Sequence, residues 1–229
     1  MPAIAENIKT ILGRIAEAAR KAGKDPNAVE LVAVSKNVGV AAAQEALAAG
    51  VSSLGESRVQ EAREKFSVIG AAARWHLIGP LQTNKAKYCP GLFSLIHSTD
   101  RMELFRELSK RAAAHGAPVQ CLLQVNLSGE LQKSGCRREQ AEVIIKEASR
   151  LEGVRILGLM TVPPLAEDPE DSRPYFRELY QLSLELDELG IENVSMGLIS
   201  AGMTGDYEVA VEEGANIVRI GSAIFGSRI

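Results

Sequence analysis

The sequence predicts an α/β protein, a closed barrel of eight strand–helix units preceded by one extra helix. Three observations predict it: eight short β-branched runs, helix-periodic segments between them, and glycines such as Gly116 and Gly153 where a helix gives way to a strand. Strands joined by helices form a parallel sheet through right-handed crossovers. Because 229 residues suit a compact (β/α)8 barrel of the TIM type, we expect residues 1–229 to form a single domain.

The elements follow one another with little connecting chain. Residues 1–26 carry apolar side chains at helical spacing, mixed with Glu6 and Glu17, which is typical of an amphipathic helix and not of a signal or transit peptide. The eight predicted strands are 29–35, 51–54, 75–78, 92–97, 119–126, 154–159, 194–200 and 216–220. The helices predicted between them are 40–49, 57–66, 101–115, 137–151, 169–189 and 206–213. An open doubly wound sheet is the alternative, but no GxGxxG follows the first strand.

Composition excludes several classes of protein. Lys and Arg total 26 and Asp and Glu total 29, so the net charge is -3 and no basic excess favours nucleic acid or membranes as partners. Charged residues make up 24% of the chain, and no apolar run approaches the ~18 residues of a membrane-spanning helix. Cys89, Cys121 and Cys136 are scattered and form neither a CxxC pair nor a metal-ligand cluster. We therefore expect a cytoplasmic protein in a reducing compartment, with no metal site.

Barrel enzymes and carriers use the carboxyl ends of their strands, which directs attention to the residues that follow each predicted strand. Lys36 ends the first strand after LVAVS, which is apolar except for its serine, so its amine is expected at the mouth of the barrel. Partial desolvation there favours the unprotonated amine, a nucleophile toward carbonyl groups. A lysine whose amine simply reaches solvent is an equally good interpretation of this position alone.

A second candidate feature is the segment RIGSAIFG after the last strand. Gly221 and Ser222 open a short helix there, and backbone N–H groups with a hydroxyl at such a point can hold a phosphate. The loop ISAGMTGDY after the seventh strand adds Ser200, Gly202, Thr204 and Gly205. Barrels often bind phosphate after strands seven and eight. An ordinary strand–helix turn is the alternative for Gly221 and Ser222.

The two features are neighbours, because a closed barrel places strand eight beside strand one. A molecule with both an aldehyde and a phosphate would satisfy both, and pyridoxal 5′-phosphate (PLP) is such a molecule. Arg219 precedes the phosphate segment and is a candidate partner of the pyridine nitrogen, since PLP sites use an Asp or an Arg there. His76 is expected to be packed or hydrogen-bonded, and His97 to take part in a turn or helix cap with Asp100.

The sequence also resembles a known family. The segments that carry the resemblance are VSKNVGVAAAQEALAAGVSSLGESRVQEAREK, WHLIGPLQTNKAKY, IHSTDR, VNLSGELQKSGC, GLMTVPP and GDYEVAVEEGANIVRIGSAIFGSR. Together they are similar to the pyridoxal phosphate homeostasis proteins, stand-alone barrels that resemble the N-terminal domain of alanine racemase. The resemblance extends from about Leu31 to Arg228. It implies PLP as a Schiff base on Lys36, Arg219 near the pyridine nitrogen, and Ser200, Gly221 and Ser222 around the phosphate.

Two positions depart from the family pattern. Where the family commonly reads GEN, this chain has Gly55, Glu56 and Ser57, and the serine is too short to make the same contact as an asparagine. Where the family commonly reads LSMGM, residues 199–203 read ISAGM. Ser195 belongs to a similar SMG triplet but is out of register with the TGDY that follows, so Ser200 is assigned to the phosphate.

The family's role implies a protein that holds and hands on PLP, balancing the B6 vitamers, without robust catalysis. Racemisation needs an acid or base on each face of the cofactor, and no second group besides Lys36 is evident in the sequence. A PLP-dependent amino-acid racemase or lyase of low activity is the alternative. A Schiff-base aldolase that acts without PLP is a third hypothesis. PLP-dependent apoenzymes are candidate partners, and the chain is expected to be a monomer or a weak homodimer.

Overall fold

The structure of the chain, a computed structural model, describes residues 3–130 and 132–226. Its strands are β1 (Glu30–Val34), β2 (Ser53–Glu56), β3 (Arg74–Leu77), β4 (Leu95–Thr99), β5 (Val119–Asn126), β6 (Cys136–Arg137), β7 (Val154–Met160), β8 (Val194–Ser200) and β9 (Ile217–Ile220). Eight strands pair in parallel in the order β4-β3-β2-β1-β9-β8-β7-β5, and β4 also pairs with β5, which places Ile96 opposite Cys121. The short strand β6 pairs in parallel with the end of β5. The sheet is therefore closed, which confirms the predicted barrel and excludes the open sheet.

Helices cover the outside of the barrel. They are α1 (Ile4–Lys21), α2 (Val40–Ala48), α3 (Val59–Ile69), α4 (Met102–His115), α5 (Ala141–Ala148), α6 (Arg173–Asp187), α7 (Tyr207–Glu212) and α8 (Ser222–Phe225). The extra helix α1 buries Ile8, Ile11 and Ile15, which recur at the spacing of one helix face. It packs against α2, α7 and α8, and the amide of Asn7 donates to Ile224 O at 2.9 Å.

Several element boundaries differ from the sequence prediction. β2 begins and ends two residues later than predicted, so Glu56 belongs to the strand and is fully buried. β4 also begins later, because residues 89–94 form a turn before it. The helix predicted over 137–151 is shorter: a 3₁₀ turn at Arg138–Gln140 precedes α5. The two-residue strand β6, which extends β5 with Val125 opposite Cys136, was not predicted.

The interior of the barrel has an apolar part and a polar part. The apolar part is a cluster formed by Val32, Leu95, Leu122, Met160 and Ile217. The polar part contains His76, His97, Thr161, Ser200 and Arg219, all of them buried. Because buried polar groups require partners, this second part needs a connected set of hydrogen bonds. The candidate site is built on that set.

Other predicted features can be checked in the described part of the chain. The three cysteines are buried and free, and burial raises the pKa of the Cys89 thiol to about 12. Across residues 3–130 and 132–226, no helix is long and apolar enough to cross a membrane. Those residues also contain no cluster of three His, Cys, Asp or Glu side chains that could hold a metal ion.

Candidate functional site

A cavity of about 570 Å³ opens at the carboxyl ends of the barrel strands. Lys36 follows β1, Ser57 follows β2, and Gly221 follows β9, so residues far apart in sequence line one space. Arg219 and Ser222 line the same cavity. Of the six residues predicted to bind the cofactor, the structure thus brings together four: Lys36, Arg219, Gly221 and Ser222.

Lys36 is half-buried and is the second residue after β1. The chain before it is fixed to the neighbouring strand, because Ser35 N donates to Gly55 O at 3.0 Å. Its side chain lines the cavity beside Val34 and Ser57. The predicted placement of a primary amine at the mouth of the barrel is therefore what the structure shows.

Two hydroxyl groups mark another side of the cavity. Ser222 Oγ and Thr204 Oγ1 lie 3.2 Å apart, which joins the loop after β8 to the start of α8. The first N–H groups of a helix have no partner within the helix and can face an anion. α8 is only four residues long, so these local donors and hydroxyls, and not a helix dipole, are the groups that an oxyanion could contact on this side.

Arg219 is buried at the base of the cavity. It donates through one terminal nitrogen to Ser200 Oγ at 2.5 Å and through the other to Thr161 O at 2.9 Å. Burial lowers the pKa of the Arg219 guanidinium to about 10, and the charge of Asp206 opposes this effect. The side chain is therefore still a cation at neutral pH and can only donate hydrogen bonds.

Ser200 and Gly202 do not line the cavity. Ser200 is fully buried, and its hydroxyl bonds Arg219 and, at 2.8 Å, His97 Nδ1. Gly202 adopts φ 88°, and a Cβ there would stand 2.7 Å from Ala210 Cβ, so a glycine lets the loop approach α7. Its carbonyl accepts from Arg219 N at 3.0 Å. Both residues therefore hold Arg219 in place in this structure.

A buried chain of hydrogen bonds leads from Arg219 through the barrel. His97 Nε2 lies 3.0 Å from His76 Nδ1, and His76 Nε2 lies 3.6 Å from Glu30 Oε1. Because Arg219 can only donate to Ser200, the serine hydroxyl is left to donate to His97 Nδ1. His97 then donates from Nε2 to His76, whose remaining N–H faces Glu30. The prediction that His76 is hydrogen-bonded is confirmed.

The expected turn or helix cap formed by His97 and Asp100 is wrong. His97 is fully buried within β4, whose observed limits run past it to Thr99. Asp100 instead pairs with Arg101 at 2.6 Å. The error arose because the strand was predicted to end at His97, which would have placed the ring in a loop.

Acid is expected to destabilise the fold through this pair of histidines. Burial lowers the pKa of His76 to about 4 and that of His97 well below its usual value. The unfolded chain therefore takes up protons below about pH 6.5 that the folded chain does not. The free energy of unfolding consequently decreases as the pH is lowered. For His76 alone the loss between pH 6.5 and 4 is about 3 kcal/mol. Urea unfolding measured across this range checks it. His76→Gln should make the free energy of unfolding depend less on pH. His115 is exposed and serves as the control. The expectation would be contradicted if His76→Gln left the pH dependence unchanged while His115→Gln altered it.

Sequence reasoning assigned no role to one wall of the cavity. Pro164, Leu165, Ala166 and Pro169, in the long connection after β7, line it. The proline-rich segment VPPLAEDP was the available signal, since prolines end a strand and delay the next helix. On the opposite side Gly79 is needed for close approach, because a Cβ there would stand 2.4 Å from Ser57 O. Ser195, set aside on register, is exposed and its hydroxyl accepts from Gly197 N.

The residues around this cavity fit PLP. Lys36 offers an amine to an aldehyde, Ser222 and Thr204 offer hydroxyls to a phosphate, and Arg219 offers N–H donors to an aromatic nitrogen. The cavity volume lies in the range of small-molecule sites. PLP supplies an electrophilic aldehyde and a conjugated ring when it is bound.

Comparisons with known proteins show the family to which the chain is related. The family model of the alanine racemase N-terminal domain matches residues 3–229. A pyridoxal phosphate homeostasis protein from Aquifex aeolicus is 43% identical, with 97% of each chain covered, and one from Pseudomonas aeruginosa is 41% identical over all of this chain and 97% of its own.

Solved structures share the fold. PipY of Synechococcus elongatus, solved with PLP bound, has a TM-score of 0.85 and 34% identity, covering 97% of this chain and all of its own. An alanine racemase from Clostridium difficile has a TM-score of 0.74 and 17% identity, with 97% of this chain and 56% of its own covered, so that likeness concerns the fold alone. The chain thus belongs to the family of pyridoxal phosphate homeostasis proteins, whose barrel is that of the alanine racemase N-terminal domain.

Proposed function

We propose that the chain binds PLP as a Schiff base on Lys36 and serves in intracellular PLP (vitamin B6) homeostasis, with little or no turnover. The observation that carries the proposal is the meeting of Lys36, Arg219 and Ser222 around one cavity. PLP bound to a relative of 34% identity and the names of the curated relatives support it. Buried free cysteines support a cytoplasmic location, since reduced thiols are typical of that compartment.

Each residue has a role in this proposal. Lys36 forms the covalent bond, Arg219 donates to the pyridine nitrogen, and Gly221 and Ser222 contact the phosphate together with Thr204. Ser200 and Gly202 affect the cofactor indirectly, because Ser200 accepts from the side chain of Arg219 and Gly202 accepts from its backbone N–H. This modifies the role expected of Ser200 from the family resemblance, because its hydroxyl is already engaged below the cavity.

The acid–base groups at the cavity support low turnover. Among the described residues, Asp206 is the one titratable residue besides Lys36 and Arg219 that lines it. The Asp206 carboxylate accepts from Met203 N at 2.7 Å, which ties it to the loop before α7. None of the four tyrosines lines this cavity. An efficient racemase would need a second acid or base facing Lys36 across the bound molecule. A carrier with little or no turnover would interact with PLP-dependent apoenzymes, to which it would deliver PLP.

An absorbance spectrum of the purified protein tests the proposal. With PLP bound, a visible band is expected that disappears on borohydride reduction, and peptide mapping should place the reduced adduct on Lys36. A protein that stays colourless with added PLP would overturn the proposal and favour an aldolase that uses Lys36 directly. Conversion of an amino acid at an enzymatic rate would favour the racemase or lyase alternative.

A further inference from the structure

Three ionisable side chains lie together behind Lys36, outside the cavity. Lys65 on α3 is buried, Glu56 at the end of β2 is fully buried, and Glu61 on α3 is mostly buried. None of the three lines the cavity. They therefore have no direct contact with a molecule bound there, and another reason is needed for placing these charges inside the fold.

The ammonium group of Lys65 donates three hydrogen bonds. Its Nζ lies 2.5 Å from Ser35 O, 2.6 Å from Glu56 Oε1 and 2.8 Å from Glu61 Oε1. An ammonium group has three N–H donors, so these three acceptors use all of them. Ser35 Oγ adds a fourth link to the cluster, because it donates to Glu56 Oε1 at 2.6 Å.

The cluster holds the residues on both sides of Lys36. Val38 N donates to Ser35 O at 2.9 Å, which closes a turn with Lys36 at its second position and Asn37 at its third. Asn37 has φ 59°, the positive value that a type II turn requires at this position. Asn37 N donates to Glu61 Oε1 at 2.5 Å. Lys65 thus fixes the carbonyl before Lys36, and Glu61 fixes the N–H after it.

Stability alone does not account for the cluster. Burial of an ion pair is costly, and an apolar replacement of similar volume often serves the fold as well. Glu56 Oε2 is buried without a hydrogen-bond partner among the described residues. Burial raises the pKa of the Glu56 carboxyl, although Lys65 and Ser35 oppose the change. What the cluster provides is one fixed conformation of the turn that carries Lys36.

We propose that Lys65 is a positioning residue for Lys36, which it serves by locking the turn 35–38 through Ser35, Glu56 and Glu61. The inference rests on the proposed function, because it concerns the covalent bond between Lys36 and an aldehyde. Effective reaction needs the amine held at the attacking position, and a turn free to move would hold it there for only part of the time. Binding of the phosphate and the ring at the other walls of the cavity does not depend on this turn.

Two probes separate positioning from general support of the fold. PLP reports the rate at which the covalent bond forms, followed by absorbance and by borohydride trapping at Lys36. Pyridoxine 5′-phosphate keeps the ring and the phosphate but lacks the aldehyde, so its affinity reports the rest of the cavity. Lys65→Met should slow bond formation at least ten-fold while the affinity for pyridoxine 5′-phosphate stays within two-fold. Lys146→Met, in an exposed pair with Glu142, is the matched control and should change neither.

Further variants keep the test decisive if Lys65→Met does not fold. The double substitution Glu56→Gln with Lys65→Met removes both buried charges together. Glu61→Ala removes the acceptor of Asn37 N and one of the three acceptors of Lys65. Each variant should slow bond formation at least five-fold. A folded variant that reacts within two-fold of the unchanged protein would overturn the positioning role, as would an equal loss of affinity for both probes. If the unchanged protein itself forms no bond at Lys36, the proposed function fails instead.

Discussion

Replacing Lys36 with alanine is expected to abolish the covalent adduct with PLP and to leave the fold intact. The loss should be complete, because the proposed function makes the Lys36 amine the group that attacks the aldehyde. The half-buried side chain lines an open cavity, so its truncation should change the free energy of unfolding by no more than about 0.5 kcal/mol. For a chain of this size that corresponds to a shift of about 2 °C in Tm. Mass spectrometry after borohydride and a thermal melt measure both quantities.

Lys85→Ala is a suitable control for this experiment. Lys85 is exposed in the 3₁₀ segment Thr83–Tyr88 after β3 and does not line the cavity. The Lys85 variant should form the full amount of adduct on Lys36. Reduced adduct that persists in the Lys36 variant, attached to another lysine, would refute the assignment. Lys65 is a poor substitute nucleophile because its three donors are engaged in the buried cluster.

The sequence was sufficient for the barrel and for the residues that line the cavity from β1 and β9. Lys36 and Gly221 each follow a short buried strand, and in a parallel barrel the ends of such strands meet at one face. The helix α1 was equally readable, because its apolar residues repeat at the helical period. Patterns of this kind depend on local spacing, which the sequence displays directly.

The polar interior was beyond local reasoning. Ser200, His97 and His76 lie on three strands that are distant in sequence, and their hydrogen bonds depend on the barrel's register. An error of two residues at the end of β4 was enough to move His97 from the interior to a loop. The Lys65 cluster was missed for the same reason, since β2 was predicted to end before Glu56. Side chains alternate between the two faces of a strand, so the residues at which a strand begins and ends determine which side chains point inward.

Removal of the Arg219 guanidinium is expected to weaken PLP binding about 10- to 100-fold. The reason is that a hydrogen bond from a charged donor contributes roughly 1.5–3 kcal/mol to the binding free energy. Arg219→Met keeps much of the side-chain volume while removing the donors. Arg101→Ala is the control, because Arg101 also donates to a carbonyl and a hydroxyl, those of Leu81 and Thr83, but does not line the cavity. Arg228, the other arginine close to Arg219 in the sequence, lies outside the described residues.

The ring nitrogen itself can be tested with an analogue in which carbon replaces it. If Arg219 donates to that nitrogen, the penalty of Arg219→Met should appear with PLP and vanish with 1-deazapyridoxal 5′-phosphate; an equal penalty for both would place the arginine elsewhere. The pKa of Arg219, lowered to about 10 by burial, still leaves it protonated at neutral pH. In the proposed function it would therefore donate a hydrogen bond to the ring nitrogen without giving up its proton, and an unprotonated ring withdraws electrons weakly. In the proposed function, an arginine that helps to hold the cofactor would thus also limit the chemistry that the cofactor can support.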